Sequence, residues 1–286
     1  MYRRVTIIGV IVAIVLILVL GFYFAYMASN ANGGTAGQPV TAGDLATLKQ
    51  IALAPYGPSG ISMLSSVKNY TGTPLTAQSK PLVVYIGADY CPFCSIQRWP
   101  LIIALDRFGN FSRLVYMASS PSEGDYPTFS FHTSTYSSNY LVFQGYEQQD
   151  RNNQPLDAVP SNYTGVFSQY GSAYPFSNFG NRYIIPGAMM SPESLTGKTQ
   201  ADVLNDIKTG TSLGIQIKEA ANVITALICK LTNNHPTGVC MQSPINGLVL
   251  SLAAYTPGSL GTVAQFEAPT STGSPWAVVS SSGQRD

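Results

Sequence analysis

Charge is scarce in this chain. Lys, Arg, Asp and Glu make up 10% of the 286 residues, and 15 basic against 14 acidic side chains leave a formal net charge of +1. No basic stripe exists to displace counterions from phosphates, which argues against nucleic-acid binding. Histidine is scarcer still. His132 and His235 stand far apart, without the context that marks a base in serine or cysteine hydrolases. The four cysteines include one CxxC and no second, too few ligands for a tetrahedral zinc site, so neither a metal nor another cofactor is expected. Copper binding by Cys91, Cys94 and His132 is an alternative only if the chain folds His132 back onto the cysteines. Repeats at solenoid-type periods are also lacking.

What the chain does have begins at its N-terminus. After Met1-Tyr2-Arg3-Arg4, the stretch Val5–Ala28 holds no charged side chain and is mostly Val, Ile and Leu. It is long enough to span a bilayer, and longer than the ~7–15 apolar residues of a cleaved signal peptide. Arg3 and Arg4 predict a cytoplasmic N-terminus, with the rest of the chain outside the cell membrane. Sequons at Asn69, Asn110 and Asn162 permit glycosylation in such a compartment. The expected organisation is a stub and transmembrane anchor over 1–28, a flexible linker over 29–43, an ectodomain over 44–256, and a loosely ordered Ser/Thr/Gly/Pro-rich tail over 257–286.

Within the ectodomain, Leu82–Ala88 is a continuous apolar run, as expected of a strand covered on both faces. A helix is predicted over Cys94–Phe108, interrupted by Pro100 and stopped at Gly109. With a second strand over Leu114–Ala118, this reads as a right-handed parallel strand–helix–strand unit of an α/β fold. The composition then shifts to Pro, Ser, Gly, Tyr and Asn over about 119–171. Thr128–His132 and Tyr140–Phe143 alternate there and read as a hairpin or an extended arm inserted into the domain. Tyr174–Phe179, Gly180-Asn181 and Arg182–Ile185 read as a strand, a tight turn and an antiparallel strand. Helices over about 199–254 form a C-terminal extension.

The chemistry concentrates at Cys91-Pro92-Phe93-Cys94, where strand gives way to helix. A thiol at the first turn of a helix meets unpaired N–H groups and the positive end of the macrodipole, both of which favour a thiolate. The second thiol, three residues on, is within reach to close a disulfide. Cys91 is therefore the candidate nucleophile, exposed at the helix start, and Cys94 the more buried resolving thiol.

These residues resemble the thioredoxin superfamily, over Leu82–Phe108 with its CPxC, Tyr174-Pro175 opening the hairpin, and a closing helix near Thr199–Ile207. The resemblance implies a thioredoxin-like fold in which Pro175 is cis and lies against the CxxC while Tyr174 pairs with substrate, with Pro92 and Phe93 also at the substrate face. Pro160 and Pro186 are rival positions for that proline. Thioredoxins carry a buried acid six residues before the first cysteine, but Tyr85 stands there. Asp89 is the partial substitute, although a strand-end carboxylate is expected to be solvated. More narrowly, Gly87-Ala88-Asp89-Tyr90-Cys91-Pro92-Phe93-Cys94, Arg98-Trp99, Arg107-Phe108-Gly109, Phe179-Gly180-Asn181-Arg182-Tyr183, Ser191-Pro192-Glu193 and the pair Cys229 and Cys240 look like a prokaryotic family of membrane-anchored, thioredoxin-like proteins called domain of unknown function 929.

Cys229 and Cys240, eleven residues apart between two helical stretches, read as a structural staple. The expected function is an extracytoplasmic thiol–disulfide oxidoreductase of the oxidase or isomerase type, acting on the thiols and disulfides of exported proteins and recycled by a membrane quinone-linked disulfide generator. The alternative is a non-catalytic interaction protein on the same scaffold, with both cysteine pairs structural.

Overall fold

The structure is a computed structural model that describes residues 14–21 and 34–254. Residues 14–21 are helical, while the remainder of the expected anchor, the first part of the linker and the tail over 257–286 lie outside the described residues. Among the described residues no helix is long and apolar enough to cross a membrane.

The fold is mixed α/β around a central six-stranded sheet. Its middle strand is β3 (Lys80–Gly87), the predicted apolar run. Alternate side chains enter different cores. Val83 and Tyr85 join the main core with α2 (Pro92–Asp106) and α5 (Ser212–Leu231), whereas Leu82, Val84 and Ile86 pack with Phe167 of α3 (Ser161–Gln169). Two buried faces explain why the run does not alternate with polar residues. On one side of β3 lies β7 (Phe176–Phe179), antiparallel with Ile86 opposite Phe176. β7 continues into β8 (Tyr183–Pro186), and β8 pairs β1 (Lys68–Asn69). Gly180 and Asn181 both take positive φ between β7 and β8, +61° and +55°, the twist that joins antiparallel strands tightly. A short β2 (Thr76–Ala77) pairs the start of β3.

The other side of β3 differs from the sequence reading. Its parallel neighbour is β6 (Val142–Glu147), running from Leu82 opposite Val142 to Gly87 opposite Glu147. The stretch expected to fill that place belongs to β4 (Gly109–Ala118), which pairs antiparallel with β5 (Pro127–Ser138) in a separate two-stranded sheet. Of the two readings of Thr128–His132 and Tyr140–Phe143, the hairpin is not formed: Thr128–His132 lies in an arm paired with β4, while Tyr140–Phe143 leads into β6 of the central sheet. The pattern of β4 gives the reason, since Asn110, Ser112 and Arg113 are exposed, which suits an arm open on one face better than the middle of a covered sheet. Of the segment 119–171, β5 lies in this arm, β6 completes the central sheet and α3 covers its face. Aromatic rings join arm to sheet: Phe131 of β5 meets Tyr85 at 5.0 Å and Phe143 at 4.9 Å between centroids.

The C-terminal helices are α1's partners on the main core. α1 (Ala42–Leu53) contributes Leu48, Ile51 and Ala52. α4 (Gln200–Thr209) starts in a capping box between Thr199 and Asp202. α5 is buried along most of its length, and α6 (Thr237–Cys240) and α7 (Ile245–Ala254) close over it.

Candidate functional site

At the end of β3 the chain turns through Ala88, Asp89 and Tyr90, and Cys91 becomes the N-cap of α2, with Pro92 in the first turn. Proline suits that place, because its missing N–H would have had no partner in the helix. Cys91 uses its sulfur as a capping side chain: the N–H of Cys94 donates to Cys91 Sγ at 3.2 Å. Both thiols are free.

The two thiols are driven apart in acidity. Cys91 is lowered from the ordinary thiol value, first by the Cys94 thiol donating to it, then by the Cys94 N–H and the Arg98 cation, against the cost of burial. Cys94 is raised well above it, chiefly by complete burial and then by its bond to Cys91. Cys91 is not exposed as the sequence suggested, however. Only 5% of it is accessible, because Tyr90 and Tyr174 pack against Cys91 and Cys94. Phe93, between the two cysteines in sequence, is 49% exposed.

The sequence-derived substrate residues gather here in part. Tyr174 lies on the cysteines, and its hydroxyl donates to Gln148 Oε1 at 2.8 Å. Its peptide bond to Pro175 is cis, and the other cis bonds among the described residues precede Pro236 and Pro244, so neither Pro160 nor Pro186 takes that conformation. His132 is engaged elsewhere, its Nδ1 2.8 Å from Asp157 Oδ1. Among the described residues no group of three or more His, Cys, Asp or Glu side chains is arranged to hold a metal ion.

Behind Cys94 lies a buried charged cluster that sequence reasoning did not find. Arg98, one helical turn beyond Cys94, has no accessible side-chain surface. Its Nε donates to Glu147 Oε1 at 3.0 Å, and its Nη2 donates to Glu147 Oε2 at 2.6 Å and to Ala88 O at 2.8 Å. Glu147, equally buried at the end of β6, also accepts the Phe131 N–H at 3.2 Å. Asp89 sits 3.6 Å from Arg98 Nη2. It is buried, not solvated as a strand-end carboxylate was expected to be. Burial, then the Glu147 charge, push Asp89 up to about 7 against the pull of Arg98. Burial opposes the charge on Arg98, but Glu147, Tyr85, Cys94 and Asp89 hold it protonated. Tyr85 stands under this group with its hydroxyl buried and raised well above the phenol value, first by burial. A Cβ at Gly87 would lie 2.4 Å from that hydroxyl, so glycine there leaves Tyr85 its room.

The fourfold spacing from Cys94 to Arg98, a charge on the apolar face of a helix, was the available signal for Arg98. Glu147 had none, since its partnership spans 49 residues of sequence.

Cys229 and Cys240 are bonded to each other, with Cα atoms 5.6 Å apart. Both sulfurs belong to the main apolar core.

No curated protein and no solved structure matches the chain. Residues 65–230, more than half of the sequence, match a family model, and the chain belongs to the family described as Domain of unknown function (DUF929).

Proposed function

We propose that this protein is a thiol–disulfide oxidoreductase of the oxidase or isomerase type on a thioredoxin-like core, with Cys91 as nucleophile and Cys94 as resolving thiol. The strand order β6–β3–β7–β8, parallel then antiparallel, supports the thioredoxin-like reading. So do the CxxC at the start of the helix after β3 and the proline ahead of β7.

The observation that carries the reading is the split between two thiols at one helix start. Cys91 ionises more readily than an ordinary thiol and Cys94 less readily. A thiol of lowered pKa is a good leaving group. When the pair is oxidised, a substrate thiolate attacks Cys91 Sγ, the bond to Cys94 breaks, and a mixed disulfide forms. A second substrate thiolate attacks the substrate sulfur, and Cys91 departs as the stable thiolate. Exported proteins are the substrates in this reading, an apolar N-terminal segment holds the domain at the outer membrane surface, and a quinone-linked disulfide generator reoxidises the pair.

The 5% accessibility of Cys91 favours a second reading, an interaction protein whose cysteines do no exchange. The reduction potential of the pair separates the two. Equilibrating the full-length protein in thiol redox buffers and counting alkylated cysteines by mass should give a value near or above about −200 mV. A value near about −270 mV would make it a reductase, and a pair still oxidised well below about −300 mV would be structural and end the redox reading.

A further inference from the structure

The two segments that carry the thiols and the cis proline hold no charged side chain near them in sequence. No charged residue occurs between Asp89 and Arg98, or between Asp157 and Arg182. The first segment supplies Tyr90, Cys91 and Phe93, and the second supplies α3 and the turn through Tyr174 and Pro175. Asp89 and Arg98 are themselves buried.

What these segments present is aromatic. Phe93 is the half-exposed ring, Tyr90 and Tyr174 flank the thiols, and Tyr174 stacks on Phe167 with centroids 6.0 Å apart and planes 11° from parallel. The charges at the margin do not favour anions. Glu123 acts on Tyr90 as a negative charge, and the Arg151 guanidinium is taken by Asp125. Behind the thiols, Arg98 is matched by Glu147 and Asp89, so that cluster is neutral or negative. A small thiol with two carboxylates, such as glutathione, finds no free cation at the surface to hold them, since Arg98 is buried and taken by Glu147. An apolar side chain beside a substrate cysteine instead finds ring surface to cover.

We propose that the Cys91–Cys94 pair selects cysteines carried in polypeptide segments with apolar or aromatic neighbours, and discriminates against small anionic thiols of the glutathione class. This rests on the redox reading and specifies its substrate. In the step concerned, the substrate thiolate forms a bond to Cys91 Sγ while the Cys91–Cys94 bond breaks, and its electron pair leaves on Cys94, which takes a proton from solvent.

The test uses full-length protein in detergent with the pair oxidised, and counts its opening by alkylation and mass. The probes are dithiothreitol, glutathione, and two short peptides with one cysteine each, flanked by Leu and Phe in one and by Glu in the other. Rates are referred to thiolate concentration, because neighbouring carboxylates raise a thiol pKa. The apolar peptide should react at least about tenfold faster than the acidic one, with glutathione also slow. Phe93→Lys, which sets a cation at the rim, should narrow the ratio by about threefold or more. Peptide rates within about twofold of each other, or a ratio indifferent to Phe93→Lys, overturn the proposal. If dithiothreitol opens the pair and the peptides do not differ, this inference alone falls. Failure of dithiothreitol to open the pair in the folded protein removes the redox reading and this inference with it.

Discussion

The two cysteine pairs of this chain sit at opposite ends of helices. Cys91 caps the start of α2, where the Cys94 N–H points at its sulfur. Cys229 lies in the last turn of α5, and Cys240 closes α6. A helix start favours a thiolate and a helix end opposes one, because the macrodipole reverses. The surroundings differ in the same sense. The first pair stands against Arg98, Glu147, Asp89 and Tyr85, whereas both cysteines of the second belong to the main apolar core. One pair is free and unequal in acidity, and the other is bonded. Cysteine chemistry in this chain thus follows from which end of a helix the sulfur meets and from what charge lies behind it.

The comparison breaks first if the buried charges are not what distinguishes the two places. Arg98→Met removes the cation that Glu147 and Asp89 share and leaves buried acid without a partner. Unfolding in urea should show a loss of about 3–5 kcal/mol. The alkylation midpoint of Cys91 should also rise, since Arg98 is one of the groups that lower it. Unchanged stability together with an unchanged midpoint would mean that the cluster is incidental to the site.

A smaller effect is expected at the other pair. Replacing both Cys229 and Cys240 by Ala frees a loop closed by residues 11 apart in sequence, which the chain-entropy estimate values at about 3 kcal/mol. The alkylation rate of Cys91 should not change. A matching change at Cys91 would couple the two pairs and undo the division between a reactive site and a staple.

How much of this could be read from the chain follows the range of each interaction. β3, α2, the β7–β8 hairpin and the long α5 were legible, because their patterns and turn residues are local. The place of Cys91 and Cys94 at the start of α2 was legible for the same reason. The partner of β3 was not. β4 follows α2 directly and looked like the natural second strand, but β6, about sixty residues beyond β3, is the one that pairs. Strand pairing is settled by which faces must be covered, and a strand's own pattern states only that it is a strand. Asp89 was misplaced on the same grounds. Its position at a strand end suggested water, and its burial is due to Arg98 and Glu147, brought together from distant parts of the chain.

Asp89 offers the finest division between the two regions, through the dependence of stability on pH. Its carboxyl titrates at about 7 in the folded protein, against about 3.9 in an unfolded chain. Between those values the folded state holds a proton that the unfolded state has released, so stability falls as pH rises through that window and levels off above about 7. Asp106, also buried and pushed to about 7 first by its burial, adds a fall of the same sign. Asp89→Asn should remove one such contribution, about 1.4 kcal/mol over one pH unit near pH ~5.5, and leave that of Asp106. Replacing Cys229 and Cys240 should shift the whole curve without altering its slope, since those sulfurs do not titrate while bonded. Urea unfolding at several pH values from about 5 to 7 reads both effects on the same axis. A slope untouched by Asp89→Asn would place the proton uptake away from the Cys91–Cys94 site, and the contrast between a charged pair and an apolar one would then rest on the thiols alone.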